Sequence, residues 1–221
     1  MEQPELKHEE VVMTKKPRQP RSAPTILSTS YTAATDATPT AMTHKYEVGV
    51  DEAGRGPLFG RVYTGAVILP PPESSGFDFS LLKDSKKFSS DKKIREVSDY
   101  IKKHAVAWAI SYEEADVIDT INIRRATLQC MRNSIKTVIK KHTAAPITDD
   151  YLLLIDGNDF IPMGNYNQEK CEIDTYTHVC VEGGDNTYAC IAAASILAKV
   201  ARDDYIEQLC DQHPVLDEMY S

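Results

Sequence analysis

The segment Val50-Asp51-Glu52-Ala53-Gly54-Arg55-Gly56-Pro57 places two adjacent carboxylates directly after a short apolar strand, which we predict for residues 46–50. Carboxylates at a strand end attract divalent metal ions, and an arginine attracts phosphate. The flanking glycines let the backbone approach a ligand more closely than any residue with a Cβ atom. The segment therefore predicts half of a site for a metal ion and a phosphate group.

The composition is that of one soluble globular domain, with 221 residues, 42% hydrophobic and 26% charged. The apolar runs are too short for a membrane span, so we expect no membrane association. The five cysteines are widely spaced and form no CxxC pair, which supports neither a disulfide framework nor a zinc knuckle. The net charge of −8 argues against a nucleic-acid partner, but cations crowd residues 83–103. A local basic surface and a solvated helix face both remain open there.

Residues 1–44 are rich in Ser, Thr, Ala and Pro and lack hydrophobic periodicity, which predicts a disordered N-terminal extension. The basic run at residues 15–21 is a weak signal for a nucleic-acid arm or a nuclear address. If translation began at Met13, the remainder would have the composition of a transit peptide. We expect a cytoplasmic or nuclear monomer, with organellar import through the extension as the alternative.

Residues 45–221 have the pattern of a folded domain. Strands are predicted for residues 46–50, 61–69, 105–112, 151–155 and 171–181. Helices are predicted for residues 90–103, 122–142 and 185–212, the last with Asp185 as its cap. Strands first, followed by alternating helices and strands, indicate an α/β fold in which helices flank a mixed sheet.

Two further acids follow the pattern of Asp51. Asp156 ends the strand at residues 151–155, and Asp185 follows two glycines and opens an alanine-rich helix whose small side chains permit close packing against the sheet. If these acids and Glu52 converge, their repulsion raises their pKa values, and Mg²⁺ or Mn²⁺ relieves it. The simpler alternatives are an ordinary turn for Asp156 and a helix cap for Asp185.

Four motifs occur in one order along the chain. They are VGVDEAGRGP at residues 48–57, DSKK at 84–87, IDGN at 155–158, and GD at 184–185 followed by AASILAKVARD at 193–203. Together they resemble the type 2 ribonucleases H, the ribonuclease HII family, over roughly residues 46–221. The resemblance implies a ribonuclease H-like fold and an endonuclease that cuts the RNA strand of RNA/DNA hybrids. It also implies nicking on the 5′ side of ribonucleotides embedded in duplex DNA.

The resemblance further implies a catalytic set that holds one or two Mg²⁺ or Mn²⁺ ions. Its members are Asp51, Glu52, Asp156 and Asp185. One ion would activate a water for attack on phosphorus and the other would stabilise the departing 3′-oxygen, which leaves 5′-phosphate and 3′-hydroxyl ends.

Substrate contacts are implied by the same resemblance. Gly54, Arg55 and Gly56 match a turn that reads the ribose 2′-hydroxyl, the group that distinguishes RNA from DNA. Lys86 matches a contact to a phosphate near the cut. The residues assigned to substrate contact or to support of the site are Ser195, Lys199 and Arg202. For Arg202, a local ion pair with Asp203 is the favoured alternative.

Members of this family continue into a Gly-Tyr-Gly motif whose tyrosine stacks beside the ribonucleotide, whereas this sequence stops at Ser221. We therefore expect a catalytic domain truncated at its C-terminus. The alternatives are a catalytically impaired hybrid-binding fragment and another ribonuclease H-like nuclease that acts on DNA. The retained acids argue against the first, and the Gly-Arg-Gly turn argues against the second.

Overall fold

A computed structural model describes residues 26–31, 44–57, 59–73 and 76–216. Its strands are β1 Tyr46–Ala53, β2 Val62–Ile68, β3 Ala107–Glu113, β4 Tyr151–Asp156, β5 Gly164–Asn167, β6 Glu172–Thr175 and β7 Thr177–Val181. Five of them form a mixed sheet in the order β3-β2-β1-β4-β7, and β5 pairs with β6 in a separate hairpin. Neighbours among β1, β2 and β3 are antiparallel, whereas β4 is parallel to both β1 and β7.

Helices cover both faces of this sheet. They are α1 Asp91–His104, α2 Ala115–Ile121, α3 Ile123–His142 and α4 Ala189–Gln212. One core lies between α3 and the sheet, and the other contains apolar residues of α1, α4 and the opposite sheet face. The predicted α/β fold, a mixed sheet flanked by helices, is confirmed. No helix in the described part of the chain is long and apolar enough to cross a lipid bilayer.

The α4 helix lies unusually close to the sheet because glycines face it. A Cβ atom on Gly49 would lie 2.1 Å from the carbonyl carbon of Cys190, and one on Gly65 would lie 2.3 Å from the carbonyl oxygen of Ala194. The neighbouring helix residues Ala192 and Ala193 are fully buried. The predicted close packing of the alanine-rich helix is therefore confirmed, and glycines on the strands make it possible.

The strand predicted for residues 171–181 is wrong, because the chain breaks there into β6 and β7. Tyr176 separates the two strands, is 4% exposed, and donates its backbone N–H to the Met163 carbonyl at 2.9 Å. Burial of this aromatic ring in the core turns the chain between the hairpin and the main sheet.

The prediction that the last helix begins at Asp185 and is capped by it is also wrong. Residues Gly184–Asn186 form a 3₁₀ turn, and α4 begins only at Ala189, with Tyr188 at the N-cap and no capping side chain. Gly183 precedes the turn with φ of +64°, a conformation that glycine adopts without strain. The short helix α2 was not predicted. It is separated from α3 by Asn122, which has φ of 69° and accepts from the Arg125 backbone N–H.

Part of the predicted disordered extension packs against the domain, so that prediction is wrong for residues 26–31. The Ser28 N–H donates to the Thr187 carbonyl at 2.8 Å, and the Ala189 N–H donates to the Ser28 carbonyl at 2.9 Å. The segment thus satisfies a backbone donor in the first turn of α4, which lacks a side-chain cap. The half-buried Glu47 carboxylate accepts from the Tyr31 N–H at 2.8 Å. Residues 1–25 and 32–43, including the basic run at 15–21, lie outside the described residues.

Leu27→Ala should lower the free energy of unfolding by about 2–3 kcal/mol, because Leu27 is 9% exposed and belongs to the core beneath α4. The adjacent Ile26 is 95% exposed, so Ile26→Ala should change stability by less than about 0.5 kcal/mol. Urea denaturation of both variants measures the difference. Equal effects at the two positions would contradict the docking of this segment.

Candidate active site

The parallel pairing of β1 with β4 brings two predicted acids together. Val50 lies opposite Ile155 in this register, so the next residues, Asp51 and Asp156, stand side by side at the carboxyl ends of neighbouring strands. Parallel strands place equivalent ends at the same sheet edge, which fixes the separation of the two carboxylates through the backbone. Strand β1 also continues beyond the predicted residue 50 to Ala53, so Glu52 is held within regular structure.

Asp51, Glu52 and Asp156 each present a carboxylate oxygen within 4.8 Å of the other two. Burial raises the pKa of the Asp51 carboxyl well above its usual value, and the charges of Asp156 and Glu52 raise it further. Burial also raises the pKa of Glu52, although the Arg55 charge opposes this. The buried Oε2 of Glu52 has no hydrogen-bond partner within the described residues. Carboxylate oxygens are hard ligands, and Glu52 Oε2 has a lone pair free to bind a metal. The cluster therefore fits a divalent ion such as Mg²⁺ or Mn²⁺.

Asp185 lies in the same cleft but outside this group of three. Its 3₁₀ turn is tied to the cluster by the Gly184 N–H, which donates to Asp156 Oδ1 at 2.7 Å. Asp185 is 6% exposed, and burial raises its pKa, with further increases from Asp84 and Asp156. Of the four acids that were predicted to converge, three form one cluster, and Asp185 lies beside it in the same cleft.

Asp84 is an acid beside this cleft that has no predicted role. It is 8% exposed, and Oδ1 accepts from the Lys86 N–H at 2.9 Å. Asn186 bridges the two acids, since its amide donates to Asp84 Oδ2 at 3.4 Å and to Asp185 Oδ1 at 3.1 Å. The sequence signal that could have identified Asp84 is its position as the first residue of the DSKK motif. Its hydrogen bonds with the Lys86 N–H and with Asn186 shape the loop that carries Lys86.

Lys86 extends from that loop into the mouth of the cleft. Its side chain is 81% exposed, and Nζ lies 3.9 Å from Asp185 Oδ2. A solvated, flexible ammonium this close to the acids can meet a phosphate that enters the cleft.

The glycine-flanked turn stands beside the acids, with Arg55 Nη1 at 3.3 Å from Glu52 Oε1. Gly54 has φ of +105°, and a Cβ atom there would lie 2.7 Å from the Arg61 carbonyl oxygen, so only glycine fits. A Cβ atom on Gly56 would meet no atom within 4 Å. The two glycines therefore differ, because Gly54 is required by the fold whereas Gly56 borders open space where a ligand can approach.

Three residues of α4 line the cleft, namely Ser195, Lys199 and Arg202. Ser195 is 5% exposed, and its hydroxyl lies 3.1 Å from Ser85 Oγ and hydrogen-bonds to Asp51. This burial favours support of Asp51 over direct contact with a substrate. Lys199 pairs with Asp203, so the expected Arg202–Asp203 ion pair is wrong. Arg202 instead packs against Gly54, and its buried Nε has no partner among the described residues.

The cleft formed by these groups has a volume of about 470 Å³ and contains all eleven residues predicted for the site, Arg202 included. A larger groove of about 870 Å³, between residues 146–149 and the β5–β6 hairpin, contains none of them. An acidic cluster that can hold a divalent ion, beside exposed cations and an open glycine turn, can bind a phosphodiester and support its hydrolysis.

Comparison with known sequences gives one family. The ribonuclease HII family model matches residues 48–218. Ribonuclease HII of Oceanobacillus iheyensis is 41% identical over 172 residues, which cover 77% of this chain and 56% of that protein. Ribonuclease HII of Cytophaga hutchinsonii is 40% identical over 174 residues, which cover 77% of this chain and 73% of that protein. The chain thus spans little more than half the length of the first relative.

Comparison with solved structures gives the same fold. The crystal structure of Bst-RNase HIII in complex with Mn²⁺ matches with a TM-score of 0.60 at 17% identity, over 80% of this chain and 59% of that one. At this identity the match bears on the fold alone, and it agrees with the predicted ribonuclease H-like sheet.

Proposed function

This chain belongs to the ribonuclease HII family, and we propose that it is an endonuclease that hydrolyses the RNA strand of RNA/DNA hybrids. We further propose that it nicks duplex DNA on the 5′ side of an embedded ribonucleotide and leaves 5′-phosphate and 3′-hydroxyl ends. The observation that carries the proposal is the cluster of Asp51, Glu52 and Asp156 directly beside the Gly54–Arg55–Gly56 turn.

The acids of the cleft hold the divalent ions in this proposal. Asp51, Glu52 and Asp156 supply the oxygens of one position, and Asp185 completes the set from its 3₁₀ turn. The Mn²⁺ complex of the structurally similar Bst-RNase HIII is consistent with such use. Bound Mg²⁺ or Mn²⁺ supplies acidification of the attacking water and stabilisation of the leaving oxygen.

The remaining residues bind and orient the substrate. Lys86 binds a phosphate at the mouth of the cleft. Its ammonium group is exposed there and is free to move toward the phosphate. The backbone at Gly56 borders open space and reads the ribose 2′-hydroxyl. The Arg55 side chain of the same turn reaches back to Glu52. Ser195 keeps Asp51 in place by a hydrogen bond from the buried side.

The test is incubation of the chain with an end-labelled duplex that contains one ribonucleotide, in the presence of Mn²⁺ or Mg²⁺. We expect one nick on the 5′ side of the ribonucleotide. An all-DNA duplex of the same sequence should be cut roughly 10⁴-fold more slowly, because a site built to hydrogen-bond a hydroxyl rejects the analogue that lacks it. Equal cutting of the two duplexes would contradict the proposal.

A further inference from the structure

One face of α3 carries three cations that have no ion-pair partner within the described residues. These are Arg125, Arg132 and Lys136, which we call the α3 stripe. Their spacings of seven and four residues place them on the same side of the helix. In a protein of net charge −8, such a concentration of unneutralised positive charge needs an explanation.

The stripe differs from the cations that cluster in the sequence at residues 83–103. Most of those cations have acidic partners: the pairs are Lys86–Asp185, Lys87–Asp84, Lys92–Glu96, Arg95–Asp204, Arg95–Glu207 and Lys102–Asp99. The sequence cluster is therefore largely neutralised in the folded protein. Within the described residues, Lys83, Lys93 and Lys103 are the cations of that range without an acidic partner, whereas all three cations of the α3 stripe lack one.

Glu113, which accepts hydrogen bonds from two other residues of α3, is engaged by neutral groups. Glu113 Oε1 accepts from Gln129 Nε2 at 3.1 Å and from Asn133 Nδ2 at 3.2 Å. These amides stabilise the carboxylate without using a cation. The buried Nε of Arg132 has no acceptor in the described part of the chain. Arg132 as a residue is only half-buried, so its guanidinium can donate to a phosphate in the groove.

The stripe adjoins the proposed active site. It lines a groove of about 470 Å³ together with Leu128 and Ile161, and among the described residues no acid borders this groove. Leu128 also borders the small cleft that contains Arg55 and Asp156. A duplex held at the acids therefore passes close to the first turns of α3.

We propose that the α3 stripe binds the phosphate backbone of the nucleic-acid duplex outside the cleavage site. This inference rests on the proposed function. From Arg125 to Lys136 the stripe extends about 16 Å along the helix axis, enough to meet several phosphates of a strand in which they recur every 3.4 Å or so. The contacts carry no sequence information, and they position the duplex over the acids.

The test compares Arg125→Gln/Arg132→Gln/Lys136→Gln with Lys92→Gln/Lys93→Gln/Lys103→Gln, a control that removes the same charge from exposed positions of α1. Binding of a long ribonucleotide-containing duplex is measured at several salt concentrations, with Asp51→Asn present throughout to prevent cutting. The slope of log Kd against log salt should fall by about 2–3 in the stripe variant, since each phosphate contact contributes about 0.9. The α1 control should keep the wild-type slope.

Two further measurements distinguish loss of the stripe contacts from loss of protein stability. A short duplex that ends beside the ribonucleotide should bind the stripe variant and the control equally, because it cannot reach α3. Lys136→Gln alone, at an exposed position, should lower the slope by about 1 even if the triple variant is less stable. Equal slopes in the stripe variant and the control would overturn the inference and would favour an acidic protein as the partner of this face. Failure of the wild-type chain to cut the duplex would overturn the proposed function itself.

Discussion

Asp51→Asn should abolish cleavage of the ribonucleotide-containing duplex and at the same time stabilise the metal-free protein. The amide keeps the shape of the side chain but is a poor ligand for Mg²⁺ or Mn²⁺. Loss of several kcal/mol of transition-state stabilisation corresponds to a decrease in kcat on the order of 10³-fold or more. Stability should rise because a buried carboxylate, 5% exposed and close to Asp156 and Glu52, is replaced by a neutral group.

The pH dependence of stability provides a second readout of the same substitution. Because the pKa of Asp51 is raised in the folded state, folding favours its protonated form. The stabilisation from this group is complete below the usual carboxyl pKa and is lost as the pH rises through the raised value. The stability advantage of Asp51→Asn over wild type should therefore be largest near neutral pH and should shrink as the pH falls toward 3.8, the ordinary value for Asp.

Thermal unfolding with and without Mn²⁺ measures these effects. Mn²⁺ should raise the Tm of the wild type and leave that of Asp51→Asn nearly unchanged, since a ligand stabilises only the state that binds it. Asp99→Asn is a matched control, because its side chain is 80% exposed on α1. It should change neither activity nor Tm. Undiminished cleavage by Asp51→Asn would contradict the assignment of this carboxylate to the metal site.

Gly65→Ala should destabilise the fold by about 3–5 kcal/mol, one of the largest effects expected of a single methyl group. The new Cβ atom would lie 2.3 Å from the carbonyl oxygen of Ala194 and 3.0 Å from its carbonyl carbon. Both contacts are with helix backbone, which cannot rotate away as a side chain can. Helix α4 would have to move off the sheet as a unit.

The same displacement should lower activity, because Gly65 pairs with Asp51 in the β1–β2 register. Ser195 follows Ala194 on α4 and donates to Asp51, so a shift of the helix removes that support. Urea denaturation gives the stability change, and the duplex assay gives the activity at a temperature where the variant is folded.

Gly56→Ala is the matched control for stability. Its Cβ atom would meet nothing within 4 Å, so the free energy of unfolding should change by less than about 0.5 kcal/mol. A similar loss of stability in Gly56→Ala and Gly65→Ala would contradict the close contact between α4 and the sheet.

Asp51 and Asp156 could be located from the sequence because their positions depend on a local pattern. An apolar run followed directly by Asp51 or Asp156 predicts a strand that ends in a carboxylate. What brings the two together is the parallel pairing of β1 with β4. That register joins residues about a hundred positions apart, and no local signal specifies it.

The structure brings Asp185 into the cleft, but the local structure that the sequence predicted for it was wrong. A small polar residue before an alanine-rich run is the ordinary pattern of a helix cap. In the folded chain the Gly184 N–H is bound by Asp156, which holds Asp185 in a separate turn. The helix start is stabilised instead by the Ser28 carbonyl, from a segment that composition alone predicted to be disordered.

Sequence by itself determined the family and the fold class and predicted the acids of the candidate site, because these depend on motifs and on periodicity within single elements. Only the tertiary structure decided which charges remain free. The cations at residues 83–103 are paired in part with acids far along the chain, such as Asp204 and Glu207, whereas those of the α3 stripe have no acidic partner in the part of the chain that the structure describes. Ion pairing and close packing depend on residues that are neighbours in space alone, and for that reason the sequence could not determine them.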